Sequence, residues 1–230
     1  MSEKTILVLG AGSGIGRSVA TLFASKRFSN VVLIARRAEQ LEVEKKALEE
    51  AIGAGKVNVK TYALDLTKSE DLLKALDDAD ATFGKPEVVF YNAARVLPSA
   101  FFEHSVEDIE YDLKINVSAL YVVSQRYVPH LVELAKSDAS SRPALIVTSS
   151  ALPHHPIPQL FALSLVKAAQ RNLVRSLSMT YTPEGVHIGV INVGGPVSPD
   201  DPERNPKRIA EKTWEWYDAA WAEPSFEVVI

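Results

Sequence analysis

Apolar runs of four to eight residues recur along this chain, each closed off by glycine, proline, asparagine or charged side chains. Longer stretches lie between them, with apolar positions three and four residues apart. The short runs predict seven strands, near 4–9, 30–35, 57–63, 88–92, 144–149, 186–193 and 226–230. They are rich in Val, Ile and Leu and mostly lack alternation, which is the signature of strands buried on both faces. The longer stretches predict helices near 14–26, 38–51, 69–83, 106–136, 159–181 and 206–220. Strand alternating with helix specifies an α/β fold, a doubly wound parallel sheet of seven strands with helices on both faces. Pro143 fits just before the fifth strand, and Pro183-Glu184-Gly185 forms the turn before the sixth. The helix around Leu41, Ala47, Leu48 and Ala51 carries Glu and Lys on its other face, which reads as a solvated surface. No internal repeat or low-complexity linker interrupts the pattern, so residues 1–230 read as a single domain.

The first junction has the most specific chemistry. After Thr5-Ile6-Leu7-Val8-Leu9 come Gly10, Gly12, Gly14 and Gly16, with Ser13 and Ile15 between them, and then the helical pattern Val19-Ala20-Leu22-Phe23. Glycines allow a sharp turn off a buried strand and a close approach to a pyrophosphate, while the free N–H groups of the helix start attract its charge. A strand, this turn, a helix and a second strand at Val31-Val32-Leu33-Ile34 give a dinucleotide-binding unit, and the sheet is of the Rossmann type.

Composition narrows the partners. At 230 residues and 47% hydrophobic content there is ample material for one α/β core. The formal charge is −4 and the basic residues are scattered, so neither nucleic acid nor an anionic membrane is a predicted partner. The absence of cysteine excludes disulfides, thiolate nucleophiles and Cys-ligated zinc, and no metal site is expected. Ile6–Leu9 is too short for a signal-peptide core and no window approaches a membrane span, which predicts a soluble, cytoplasmic protein.

Further along the chain, residues in order extend the pattern. Asp65-Leu66 follows the third strand, Tyr91-Asn92-Ala93-Ala94 ends the fourth, and Asn116 lies in Lys114-Ile115-Asn116-Val117. Ser149-Ser150 ends the fifth, and Lys167 begins Lys-Ala-Ala. With the Gly-x-x-x-Gly-x-Gly spacing of residues 10–16, this series resembles the short-chain dehydrogenase/reductase family over the whole chain. The resemblance implies an oxidoreductase acting on a carbonyl or alcohol of a small, apolar organic substrate. It also implies that Gly10, Gly12, Ser13, Gly14, Ile15, Gly16, Asp65, Leu66, Asn92, Ala93 and Ala94 hold a dinucleotide. Lys167 would hold the nicotinamide ribose, Ser150 would bond the carbonyl oxygen, and Asn116 would anchor a water chain.

One position departs. The family's active-site tyrosine stands four residues before that lysine and thirteen after the serine, and both spacings arrive at Leu163. Phe161 nearby has no hydroxyl either. General acid–base catalysis is typically worth about 10²–10⁴ in rate, and leucine contributes none of it. His154 and His155, on the loop after Ser150, are candidate replacement donors beside their plainer reading as exposed loop residues. Tyr91 and Tyr111 read as packing residues. Three functions are compatible with this set: an oxidoreductase with a non-standard proton donor, a non-redox cyclase or isomerase with bound dinucleotide, and a silent binding protein. Retention of Ser150, Lys167 and Asn116 speaks against the last.

The second strand ends Ala35-Arg36-Arg37, where an acidic residue would favour NAD. Guanidinium groups suit a 2′-phosphate, so NADP(H) is the expected cofactor, with Arg17 a possible helper. After the sixth strand, Gly194-Gly195-Pro196-Val197-Ser198-Pro199 departs from the family's Pro-Gly-x-Val-x-Thr. Gly195 and Val197 remain as cofactor contacts, and the missing threonine hydroxyl predicts a looser nicotinamide half. Only eight residues, 198–205, separate this segment from the last helix, so the pocket is expected to be open or completed by a partner subunit. Trp214 and Trp216 cannot share one face of that helix, and core packing is their plainer role. By the same resemblance the long helices pair between subunits, giving a homodimer or homotetramer.

Overall fold

The computed structural model describes residues 4–230, so the first three residues of the expected 1–230 domain lie outside the description. Seven strands form one sheet: β1 (Thr5–Leu9), β2 (Asn30–Ala35), β3 (Asn58–Ala63), β4 (Val88–Tyr91), β5 (Ala144–Ser150), β6 (His187–Val193) and β7 (Glu227–Val229). Their order is β3-β2-β1-β4-β5-β6-β7 and every neighbouring pair is parallel. The chain winds outward in one direction from β1 to β3, then returns to place β4 on the other side of β1. That reversal opens a crevice at the carboxyl ends of β1 and β4, where α/β sheets bind ligands.

Helices cover both faces. On one side α1 (Ile15–Lys26), α2 (Ala38–Ile52) and α7 (Pro206–Ala219) enclose a core containing Val19, Phe23, Leu41, Leu48, Ile209 and Tyr217. On the other, α3 (Ser69–Phe83), α5 (Ala119–Ser137) and α6 (Phe161–Tyr181) bury Leu72, Leu76, Leu120, Val123, Tyr127 and Val174. The strands of the sheet centre supply alternate residues to the two cores. Ile6 and Val8 face the first while Leu7 and Leu9 face the second, which is why these runs are apolar throughout.

The expected elements are all present, with ends moved by one or two residues and one internal correction. Residues 106–136 are not a continuous α-helix. Helix α4 (Val106–Leu113), N-capped by Ser105, passes into a π-helical turn at Lys114–Ser118 before α5 begins. The turn contains Asn116, and a π turn inside an α-helix commonly marks a functional position.

Glu44, which shares the buried face of α2 with Leu41 and Leu48, is fully buried and paired with Arg17 at 3.3 Å. Trp216 is buried against His187, with ring centroids 4.2 Å apart, and Trp214 packs edge-on to Phe23. Both tryptophans therefore belong to the α7 packing, as expected. Among the described residues no helix is long and apolar enough to cross a membrane, and no cluster of His, Asp or Glu could hold a metal.

Candidate active site

The glycine turn is shaped by contacts that only glycine permits at two positions. Gly10 has φ of 91°, and a Cβ there would lie 2.5 Å from the Ala93 nitrogen. A Cβ on Gly16 would lie 2.6 Å from the Gly10 carbonyl oxygen. Asn92 stitches the turn to the sheet centre: its Nδ2 donates to the Gly10 carbonyl at 2.9 Å and its Oδ1 accepts from the Thr148 hydroxyl at 2.8 Å. Gly12 and Gly14 differ from these two. Nothing in the protein comes within 4 Å of a Cβ added at either, so their lack of a side chain serves open space. Gly14 also begins α1 without a side-chain cap and with no acidic residue in the first turn, which leaves N–H groups of the helix start for an anion.

These residues open into a cavity of about 300 Å³ at the switch point. Gly10, Gly12 and Ser13 line it from the turn, Arg36 and Arg37 from the end of β2, and Asp65 and Leu66 from the end of β3. Asn92, Ala93 and Ala94 line it from beyond β4. Sequence reasoning named all of these; it missed Ala11, Ala35, Gln40, Leu64 and Ile115 on the same wall. Gly14, Ile15, Gly16, Gly195 and Val197 do not line it, and neither do Lys167, expected at the nicotinamide ribose, nor Ser150 and Asn116. Gly16 serves helix–strand packing, while the Arg204 guanidinium, held by Asp201, lies against Gly195.

Charge is concentrated at one rim. Arg36 and Arg37 are exposed, and Arg36 Nη1 approaches the Tyr111 hydroxyl at 3.5 Å. That hydroxyl donates to Asp65 Oδ2 at 3.2 Å, and the Thr67 N–H donates to Asp65 Oδ1 at 2.9 Å. Burial alone would raise the Asp65 carboxyl. The two Thr67 bonds, the Tyr111 hydroxyl and the Arg36 charge outweigh it and hold the carboxyl below its ordinary value. Arg17, the possible helper, is engaged elsewhere: it donates to the Ser13 carbonyl at 3.1 Å and pairs with Glu44, to which Gln40 also donates.

The inner end gathers the remaining polar residues. Lys167, on α6, is 5% exposed, and its Nζ donates to the Thr148 carbonyl and to Gln170 Oε1, each at 2.8 Å. Burial lowers the ammonium to about 7. Gln170 Nε2 in turn donates to the backbone carbonyl of Asn116 at 2.9 Å. The Asn116 side chain donates to the Asp112 carbonyl, and its Oδ1 is buried with no partner among the described residues. Leu163, one turn before Lys167, is 7% exposed and packs with Leu152, Val166, Leu113 and Leu160. Ser150, half-buried at the end of β5, accepts from the Leu152 N–H at 3.3 Å. His154 and His155 are exposed on the following loop, and neither is hydrogen-bonded to Ser150. Tyr91 lies in the core with its hydroxyl on the Ile115 carbonyl, and burial raises its pKa.

The sequence model for short chain dehydrogenases matches residues 4–208, which include the glycine turn, Asn116, Ser150 and Lys167. The chain belongs to the short-chain dehydrogenase family. Among curated relatives of this dehydrogenase, glucose 1-dehydrogenase of Gluconobacter oxydans is 27% identical over 207 residues, covering 87% of this chain and 74% of that protein. An uncharacterized oxidoreductase of Listeria monocytogenes is 28% identical over 193 residues, covering 84% and 73%. Solved structures of the same fold include an alcohol dehydrogenase from Thermococcus sibiricus complexed with 5-hydroxy-NADP. It superposes with a TM-score of 0.84 at 21% identity, over 99% of this chain and 96% of that one. L-Sorbose reductase from Gluconobacter frateurii, complexed with NADPH and L-sorbose, gives 0.76 at 24% identity, over 87% and 72%.

Within this dehydrogenase the turn, the uncapped helix start and the arginine rim together suit a phosphate-bearing nucleotide. Gln170 carries no sequence signal that would have found it, and Tyr111, read as a packing residue, instead bonds Asp65 through its hydroxyl. Each becomes recognisable only once helices pack on the sheet and bring its polar atoms to Lys167 and Asp65.

Proposed function

We propose that the protein is an NADP(H)-dependent oxidoreductase that interconverts a carbonyl and an alcohol on a small apolar substrate. The proton donor of this reaction is a group other than residue 163. The observation that carries the reading is the switch-point cavity, with the open Gly12 in its lining and two exposed guanidinium groups at its rim. Arg36 and Arg37 would meet a 2′-phosphate, and the glycine turn a pyrophosphate. When bound, the reduced nicotinamide supplies a hydride to the carbonyl carbon. The Ser150 hydroxyl donates to the oxygen as negative charge develops there, which is where a preorganised donor lowers the barrier. Leu163 leaves the next position apolar, so the proton has another source. Phe101 and Phe161, stacked at 4.4 Å between centroids, with the exposed Phe102 and Ile157 nearby in the chain, give this end of the molecule the apolar surface that such a substrate needs. Exposed Tyr121 on α5 and Leu165 and Met179 on α6 support pairing of those helices between copies.

The test is calorimetric titration with NADPH, NADP⁺ and NADH, followed by absorbance at 340 nm with a panel of ketones and alcohols. Tight binding of the phosphorylated cofactors with turnover is the expected result. Gly12→Ala provides the control: its new Cβ has no protein atom within 4 Å, so the melting temperature holds while NADPH binding weakens. Unchanged NADPH binding by this variant would place the nucleotide elsewhere. Binding without turnover on any substrate would move the function to a non-redox reaction.

A further inference from the structure

The hydroxyl of Tyr111 stands between two opposite charges at the nucleotide rim. Arg36 and Asp65 follow neighbouring strands, β2 and β3, which pair in parallel with Ala35 opposite Ala63, and both residues line the switch-point cavity. Arg36 Nη1 donates to the Tyr111 hydroxyl at 3.5 Å, and that hydroxyl donates to Asp65 Oδ2 at 3.2 Å. A phenol hydroxyl has one proton and lone pairs, so it serves both neighbours at once, as acceptor towards the guanidinium and donor towards the carboxylate. Among the described residues Arg36 has no other side-chain partner. Burial works against the Asp65 charge, but the Thr67 bonds, the Tyr111 hydroxyl and the Arg36 charge hold the carboxyl below its ordinary value. An anion therefore sits one hydroxyl away from the guanidinium.

The ring that carries this hydroxyl is fixed from α4. The Arg95 guanidinium lies over it, 4.9 Å from the centroid, and is itself held by Asp112 at 2.6 Å and Asp108 at 2.8 Å. The ring also packs against the core that contains Leu120 and Val123. Arg95 directly follows Ala94, so the segment that walls the cavity beyond β4 also clamps the tyrosine.

This placement has a consequence for the arginine. A guanidinium and a carboxylate match each other in paired, charge-assisted bonds, and a flexible arginine on an exposed rim collapses onto a free carboxylate within reach. So engaged, Arg36 is lost to a ligand phosphate, and the carboxylate it has joined repels that phosphate as well. We propose that Tyr111 is a cofactor-selecting residue, whose hydroxyl acts as a spacer that keeps Arg36 off Asp65 and leaves the guanidinium for a 2′-phosphate. The proposal rests on the NADP(H) reading above. A neutral donor suits the task, because it satisfies Oδ2 without adding a charge of either sign. The contact on the other side is at the long limit of a hydrogen bond, so a phosphate oxygen displaces it with little loss.

The test compares Tyr111→Phe, which keeps the ring under Arg95, with wild type, Asp65→Asn and the double variant, by calorimetry with NADPH and NADH. The readout is the ratio of the two affinities, from which packing damage and any change in adenine binding drop out because both nucleotides share them. Tyr111→Phe should cut the preference for NADPH by about threefold to tenfold, up to the loss of one charged hydrogen bond. On the Asp65→Asn background, where Arg36 has no carboxylate to join, the same substitution should change the ratio by less than about twofold. A second readout needs no cofactor. In protein labelled with ¹⁵N-arginine, the Arg36 Nη resonances, assigned by their loss in Arg36→Ala, should be averaged by rotation in wild type. They should split in Tyr111→Phe as the carboxylate holds the guanidinium, and average again in the double variant. A ratio that Tyr111→Phe leaves unchanged overturns the proposal. An equal fall on both backgrounds overturns the spacer too, since the hydroxyl would then act on the phosphate itself. Wild-type protein that binds NADH as tightly as NADPH overturns the 2′-phosphate reading instead, and the splitting in Tyr111→Phe then still decides whether the hydroxyl separates Arg36 from Asp65.

Discussion

Arg36→Ala tests the cofactor assignment at its most exposed point. Arg36 makes one side-chain contact, the 3.5 Å approach to the Tyr111 hydroxyl, and that hydroxyl keeps its stronger partner, Asp65, when the guanidinium is gone. The substitution therefore removes charge from the rim while the wall behind it stands, and the melting temperature should hold to within about 1 °C. A hydrogen bond to a charged group is worth about 1.5–3 kcal/mol, equivalent to roughly tenfold to a hundredfold in affinity. Exposure and salt screening put Arg36 at the lower end, so NADPH should weaken about tenfold, and Arg36→Ala/Arg37→Ala about a hundredfold. NADH has no 2′-phosphate and should change by less than about twofold. The assay is calorimetry with both nucleotides at low and high salt. Raising the salt should shrink the NADPH penalty, because screening already removes in wild type part of what the mutation removes. Equal weakening of NADPH and NADH would refute the argument, since it would locate the arginine on a part of the nucleotide that both share.

Two other perturbations probe different regions. Leu163→Tyr adds a hydroxyl where the site has none, and Leu163→Phe adds the same ring without it. The ring overfills the cluster of Leu152, Val166, Leu113 and Leu160, at about 1–3 kcal/mol, and both variants should melt roughly 2–12 °C lower. The tyrosine variant should nevertheless reduce a bound ketone about tenfold to a hundredfold faster than the phenylalanine variant, and equal rates would show that a hydroxyl here reaches no reacting atom. On the opposite part of the sheet, burial holds His187 at about 4, against an ordinary value of 6.5. The unfolded chain thus binds one more proton than the fold between those values, and stability falls as pH drops from 6.5 towards 4, by about 3 kcal/mol in all. Urea melts across that range should show a shallower acid limb in His187→Gln, and parallel limbs would assign the acid sensitivity to carboxylates.

What the chain reveals before folding follows from where each instruction resides. The seven strands and the glycine turn were legible because buried parallel strands must be apolar on both faces, and because a pyrophosphate turn is built from backbone, whose freedom glycine advertises. The arginine pair was legible for a similar reason: it stands at a strand end, and strand ends in this topology point at the ligand. Glu44 stands at helical spacing from Leu41 and Leu48, and its partner, Arg17 on α1, appears only when the two helices pack. The π turn at Lys114–Ser118 was invisible because apolar periodicity runs through it without interruption. Its meaning arises from a tertiary contact, the Gln170 amide on the Asn116 carbonyl. Gln170 itself, three residues after Lys167, looks like any polar helix position until α6 packs on β5 and buries it.

The two departures at the inner end belong together. A tyrosine four residues before a lysine needs that lysine as a charge, fully protonated and close enough to draw the phenol's pKa down. With leucine there the requirement disappears, and an ammonium buried on α6 becomes expensive to keep charged. Such a buried lysine can be replaced by something apolar, matched with a carboxylate, or held by neutral acceptors. This chain does the third, with the Thr148 carbonyl and the Gln170 amide. A carboxylate partner would have locked the charge in place and removed the lysine from proton chemistry near neutral pH. Two neutral carbonyls accept two of its N–H groups in either protonation state. Burial then lowers the ammonium to about 7.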